Sequence, residues 1–417
     1  MLDAVCPRWP RDTVLFLAGQ TVSLLGSSIV GYAVIWYITL KTGSGAQYAL
    51  LVIAAQLTQG LTSIPGGVWA DRYPRKLLII GSDGLIALFT LGLALYFLRG
   101  HEAMVVIVVV LALRGLLSGV QSPAVNAALP QLVPAKHLLR VNSLNSAAQA
   151  LIFVAAPAIA AVLLVKVPLG WIFLVDVATA AIGIGFILLV RLPRLVVADA
   201  PGRPAGWRSY GHDMGQAIQA VRHHPGLWRV LGIMAFMMCV LIPVAQLTPV
   251  FITRYFGAAQ WMLATGEIIW SAGSVIGGLV MTAWGGLRNR MALIMWASAA
   301  GVLFATLMGA SPTFWIFCLS ALLWGGSIPF LEASSLTAAQ ENIEPHLLGR
   351  VMGLYTLIMA VSGPLGMAVV GPLSDAVSLR LLCFLTAGLS AVFLAVLQLR
   401  GGPGAVLLAK PVLPVDE

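Results

Sequence analysis

Apolar runs of bilayer length follow one another along the chain, separated by short polar breaks. They fall near 13–40, 46–70, 77–98, 103–129, 139–166 and 169–190, and again near 227–255, 259–283, 289–310, 312–341, 347–374 and 378–399. Each holds the roughly 20 mostly apolar residues that a helix needs to cross a bilayer. Only helices and closed barrels satisfy every backbone group in lipid, and runs of this length specify helices. The pattern predicts an all-α membrane protein with twelve transmembrane helices. One longer polar stretch, 191–226, divides them six and six.

Composition agrees. Of 417 residues, 59% are hydrophobic and 9% charged, against about 25% charged in soluble domains. The net charge of +9 does not call for nucleic acid. Eighteen Lys and Arg collect on one side of the predicted spans, and five (Lys41, Arg99, Lys166, Arg254, Arg380) on the other. By the positive-inside rule the richer side is cytoplasmic. It includes both ends of the chain and the 191–226 connection, whose second part, Trp207 to His224, suits an amphipathic surface helix or a basic linker. The first span reads as retained, because no convincing cleavage site accompanies it. Four scattered cysteines suggest neither disulfides nor zinc. No phosphate loop and no H-E-x-x-H occurs, and Gly183-x-Gly185 sits in an apolar run, so no cofactor or metal is expected.

The halves echo each other at an offset of about 210 residues. Pro134 and Pro345, Arg140 and Arg350, Gly67 and Gly278, and Pro157 and Pro364 are the anchors. The organisation expected is a bundle over 1–190, a cytoplasmic linker over 191–226, a second bundle over 227–400 and a tail over 401–417. Parallel repeats of six spans are a transporter architecture with the substrate between them near the midplane.

The segment "GGVWADRYPRKLLII" (66–80) resembles the loop motif of the major facilitator superfamily. "GQTVSLLGSSIVGYAVIWYITLKTGS" and "LVPAKHLLRVNSLNSAAQ" resemble its macrolide-efflux and siderophore-efflux branch. The resemblance implies two pseudo-symmetric bundles rocking about a cavity lined by the first, fourth, seventh and tenth spans. It implies export in exchange for protons from a bacterial inner membrane, by a monomer among lipids. Two departures stand out. The fifth span has Ala156-Pro157 where the antiporter motif has Gly-Pro, and the fourth carries Arg114 with Ser118 before Gly119. The first of these favours the alternative of an uptake or facilitative carrier, or a lipid flippase.

Charges inside the spans are Asp83, Arg114, Asp176, Glu267 and Glu332. Each costs at least about 2.5–3.5 kcal/mol at the bilayer centre, so each marks a functional or paired position. No His lies deep in a span, so a proton carrier has to be an acid; Glu267 and Glu332 are the candidates. They could instead be counter-ions for Arg114. Asp83 and Asp176 read as structural pairs. The substrate cavity is expected from Gln20, Ser23, Ser27, Trp36, Arg114, Gln246, Glu267, Trp270, Ser271, Trp324 and Glu332. Gln20, Ser23 and Ser27 share a helical face, as do Glu267 and Ser271. Gly67, Asp71, Arg72, Arg75 and Lys76 form a candidate conformational latch, with Gly66 and Gly67 allowing close helix approach. Kinks are expected at Pro65, Pro243, Pro249 and Pro329.

Overall fold

The structure is a computed structural model that describes residues 9–192, 215, 218–219, 221–222, 225–287, 289–341 and 345–400. The helices are α1 (Trp9–Thr42), α2 (Gly45–Arg72), α3 (Arg75–Leu98), α4 (Met104–Leu132), α5 (Ala135–Lys166), α6 (Leu169–Leu189), α7 (Pro225–Val240), α8 (Ile242–Gln246), α9 (Thr248–Tyr255), α10 (Gln260–Trp284), α11 (Arg290–Ala310), α12 (Phe314–Glu341), α13 (Pro345–Ala376) and α14 (Leu379–Arg400). No strand occurs among the described residues. Twelve stretches are long and apolar enough to cross a membrane, with α7, α8 and α9 together making the seventh. The protein is a multi-pass membrane protein. Most of the expected surface helix, and the tail from 401, lie outside the described residues.

The prolines act unequally. Pro243 and Pro249 begin new helices, so the seventh span is interrupted at Leu241 and Leu247. There the ring removes a backbone donor and clashes with the preceding turn. Pro65 and Pro329, the other expected kink sites, lie inside continuous α2 and α12.

The described chain divides into two compact units. The first takes in the chain up to Gly43, resumes at Leu50 and carries Ala258–Ala264; the second takes in Ser44–Ala49, the chain up to Gly257 and the chain from Thr265 onward.

Within the first unit, α2 and α4 meet backbone to backbone. A Cβ on Gly66 would lie 2.6 Å from the Gly119 carbonyl oxygen, and one on Gly115 would run into Ala55 O. Thr62 Oγ1 donates across the same seam to Leu116 O at 2.9 Å. Gly67, expected to share in this approach, faces open space. The second unit repeats the device between α10 and α12, where Cβ atoms on Gly277 and Gly325 would meet Gly326 O and Trp270 O. Gly66 and Gly277, and Gly115 and Gly325, stand at the repeat offset of about 210. Lipid supplies no hydrophobic drive between helices, so close approach of small residues supplies the packing.

The second unit also holds the start of α2. Asp375, near the end of α13, accepts from Ser44 Oγ at 2.6 Å and from the backbone N–H groups of Gly45 at 2.7 Å and Ala46 at 3.0 Å. Arg254 of α9 pairs with the same carboxylate. An anion here answers the free donors and positive dipole end of a helix N-terminus.

In the turn between α3 and α4, Glu102 accepts from Tyr37 Oη at 2.8 Å and pairs with Lys41 Nζ. Lys41 first, and Tyr37 after it, hold the Glu102 carboxyl below its ordinary 4.5. Such a group contributes stability above the ordinary value and loses it as pH falls through its lower folded one. The pair is well exposed, at 52% and 41%, and water and salt screen it. Glu102→Gln is therefore expected to leave the unfolding midpoint unchanged at neutral pH and physiological salt, as read by titration with a denaturing detergent.

Candidate functional site

Four helices of the first unit place their few polar residues on facing stripes. On α1 these are Gln20, Ser23 and Ser27; on α3, Asp83 and Thr90; on α4, Arg114 and Gln121; on α6, Asp176. Residues seven apart share a helical face and stand about 10 Å apart along the axis. Since α3 and α4 are consecutive spans joined by a short turn, they run in opposite senses, and the stripes meet in two layers.

In one layer Arg114 Nη1 pairs with Asp176 Oδ2 and also donates to Thr90 Oγ1. Thr90 Oγ1 lies 3.2 Å from Asp176 Oδ2, and Ser27 Oγ donates to Asp176 Oδ1 at 2.8 Å. Asp176 is completely buried and Arg114 is 9% exposed. A buried pair holds only when further hydrogen bonds satisfy its remaining atoms, which Ser27 and Thr90 do here. In the other layer Asp83 Oδ1 accepts from Ser23 Oγ at 3.1 Å and from Gln121 Nε2 at 2.7 Å. Asp83 Oδ2 is buried and has no partner among the described residues.

Beside these layers lies a recess of about 440 Å³, lined by Gln20, Ser23, Ser27, Asp83, Arg114, Ser118, Gln121, Asn126, Asn145 and Gln149 among others. Amides, hydroxyls and charge share its wall with apolar side chains such as Leu24, Ile86 and Leu111, so it can hold water or the polar part of a ligand. Gln20 Nε2 is buried without a partner among the described residues.

Other expected site residues lie elsewhere. Trp36 is fully buried in the first unit, its ring 5.4 Å from Tyr32, and is absent from the recess wall. In the second unit Trp324 is 1% exposed and meets Trp270 edge to face, with ring centres 5.6 Å apart. Trp36 and Trp324 are thus packing residues rather than open aromatic walls. Gln246 ends α8 at the interrupted span, with Oε1 buried and without a partner among the described residues. Glu267 and Ser271 are half-buried on α10, and Glu332 is exposed on α12. Tyr355 of α13 lies within electrostatic reach of Glu332. Arg114 takes its counter-ion, Asp176, from α6 of its own unit.

The charged loop is tied down locally. Arg75 donates through Nε to Ala70 O at 3.0 Å and through Nη1 to Ala127 O of α4. Lys76 Nζ donates to Leu188 O and Val190 O, both at 2.8 Å. A cation on the last carbonyls of α6 satisfies orphan acceptors and the negative dipole end. Arg72 is exposed, and the Asp71 side chain lies outside what is described. Arg75 and Lys76 thus brace helix ends within one unit.

The model of the family described as "Major Facilitator Superfamily" matches residues 16–367. The chain belongs to the Major Facilitator Superfamily. Curated proteins to which it is similar include efflux proteins. Macrolide efflux protein A of Streptococcus pyogenes is 28% identical over 374 residues, covering 89% of this chain and 91% of the relative. The enterobactin exporter EntS of Salmonella paratyphi A is 26% identical, covering 87% and 86%. The multidrug efflux pump Tap of Mycobacterium tuberculosis is 26% identical, covering 97% and 94%. Among solved structures, a nucleoside transporter superposes with a TM-score of 0.72 at 16% identity, covering 92% of this chain and 99% of that one. A bacterial homologue of the lysosomal transporter Spinster gives 0.63 at 16%, covering 97% of each. These likenesses carry the Major Facilitator fold. The resemblance to the macrolide- and siderophore-efflux branch holds, and the chain is a transporter by family.

Thr90 and Gln121 are the residues that sequence reasoning passed over, and Asp83, read there as one of a structural pair, meets the neutral Ser23 and Gln121 instead. The i, i+7 spacings Asp83–Thr90 and Arg114–Gln121 were the available signal. Asp375 lies far from Gly45 in sequence, and no local pattern announces their contact.

Proposed function

We propose that the protein exports an amphipathic small molecule from the bacterial cytoplasm by alternating access, driven by protons, with both chain ends on the cytoplasmic side. The observation that carries this reading is the polar recess with its buried Arg114–Asp176 pair inside bilayer-length helices. Such expense in lipid marks a functional interior. The efflux relatives support the outward direction. The potential adds about 2.3 kcal/mol per charge per 100 mV, enough to drive accumulation. Gln20, Ser23, Ser27 and Arg114 would meet cargo in the first unit; Gln246, Trp270 and Ser271 are the second unit's candidates. Glu267 and Glu332 have no hydrogen-bond or ion-pair partner among the described residues, which suits groups that exchange protons. Ala156 at the Gly-Pro position favours a second reading, a facilitative or uptake carrier or a lipid flippase.

The test is transport by the purified protein in liposomes under an imposed pH gradient, with a macrolide and enterobactin as separate cargoes. Gradient-driven accumulation of at least one is expected. Glu267→Gln or Glu332→Gln should lower it by about a hundredfold or more, the low end of the range by which a positioned proton-transfer group alters a rate. Flux indifferent to the gradient sinks proton coupling; unchanged flux in both variants removes these acids from it.

A further inference from the structure

The geometry points to Asp83 as a proton-binding site of the first unit, a carrier acid separate from Glu267 and Glu332. This rests on the proton-coupled reading above.

Three observations converge on Asp83. The first is the division of charge between the two layers. Arg114 and Asp176 neutralise each other, with Ser27 and Thr90 completing their bonds. Asp83 is 3% exposed, and no cation among the described residues lies within ion-pair distance of it. Its neighbours are Ser23 from α1 and Gln121 from α4, both neutral. The charged groups facing it are Arg114 of α4, already paired, and Asp176 of α6, whose like charge reaches it. A buried carboxylate without a cation carries a desolvation cost that a bound proton removes.

The second is the asymmetry of its two oxygens. Oδ1 takes both donors, while Oδ2 is buried with no partner among the described residues. The third is access. Asp83, Ser23 and Gln121 all belong to the wall of the 440 Å³ recess, so hydroxyl and amide groups lead from a polar space to the carboxyl. The step is a simple one: a proton adds to Oδ2 of the carboxylate and leaves again to water in the recess, with Oδ1 keeping its two donors in both states. Asp176 cannot do this without freeing Arg114.

Isotope-edited infrared titration of the full-length protein in lipid nanodiscs reads the site without any cargo. A protonated-carboxyl C=O band is expected that titrates with pH, shifts with labelled aspartate and disappears in Asp83→Asn. In liposomes, Asp83→Asn should lose gradient-driven accumulation about tenfold or more. A band unchanged in Asp83→Asn overturns the proposal, and so does wild-type gradient coupling that survives the substitution. Wild-type flux that ignores the gradient refutes the proton-coupled reading instead, whatever the band shows. Should Asp83→Asn not assemble, Gln121→Leu and Ser23→Ala keep the acid and remove a donor. Each is expected to move the midpoint of the band's titration; an unmoved midpoint in both overturns the assignment.

Discussion

Asp176→Ala is expected to destabilise the first unit by about 3–5 kcal/mol, the penalty for leaving a buried charge uncompensated. Arg114 would keep its guanidinium at 9% exposure with Thr90 as its one remaining acceptor. Ser27 and Thr90 would lose an acceptor at the same time. Removing both charges together, as Arg114→Leu with Asp176→Leu, should be milder than Asp176→Ala, because paired buried charges are often replaceable by apolar groups at little net cost. Unfolding by titration with a denaturing detergent measures all three, and the interaction energy follows from the double-mutant cycle. A double variant as unstable as the sum of its parts would show that the two side chains do not act as a pair. Asp83→Asn should be far less damaging in the same assay, since an amide oxygen still accepts from Ser23 and Gln121.

Gly277→Leu is the other substitution of large effect. Its Cβ would meet the oxygen, carbon and Cα of Gly326, all backbone, so no side chain can swing aside. Overpacking costs typically 1–3 kcal/mol even where rotamers can adjust; here α10 and α12 have to separate. The expected outcome is loss of most of the monodisperse protein on size-exclusion chromatography. Gly278→Leu, one residue along, meets nothing within 4 Å and should elute as the wild type does. Equal yields for the two variants would show that the close seam is not what holds these helices together. The same contrast applies in the first unit, where Gly66 is closed in and Gly67 is open.

Much of this architecture was legible along the chain. Runs of about 20 apolar residues can only be spans, because lipid leaves the backbone no other partner than itself. The internal repeat and the motif at 66–80 named the family before any coordinates. The buried charges could also be counted, since any charge in such a run is conspicuous. Their partners could not be read. Asp83 and Asp176 look alike as lone acids in apolar helices; only the packing of α1, α3, α4 and α6 gives one an arginine and the other two neutral donors. Trp36 and Trp324 looked like walls for a ligand, yet aromatic rings at helical spacing say nothing about which side of a helix faces its neighbours.

What the sequence determined by itself was the number, length and repetition of the membrane helices, since these follow from local hydrophobicity and the bilayer's thickness. Tertiary structure alone decided which charges neutralise each other, which glycines are pressed against backbone, and which acid keeps an oxygen unpartnered. Those outcomes depend on contacts between residues 38 to 149 positions apart, and no local pattern encodes the rotation of one helix against another.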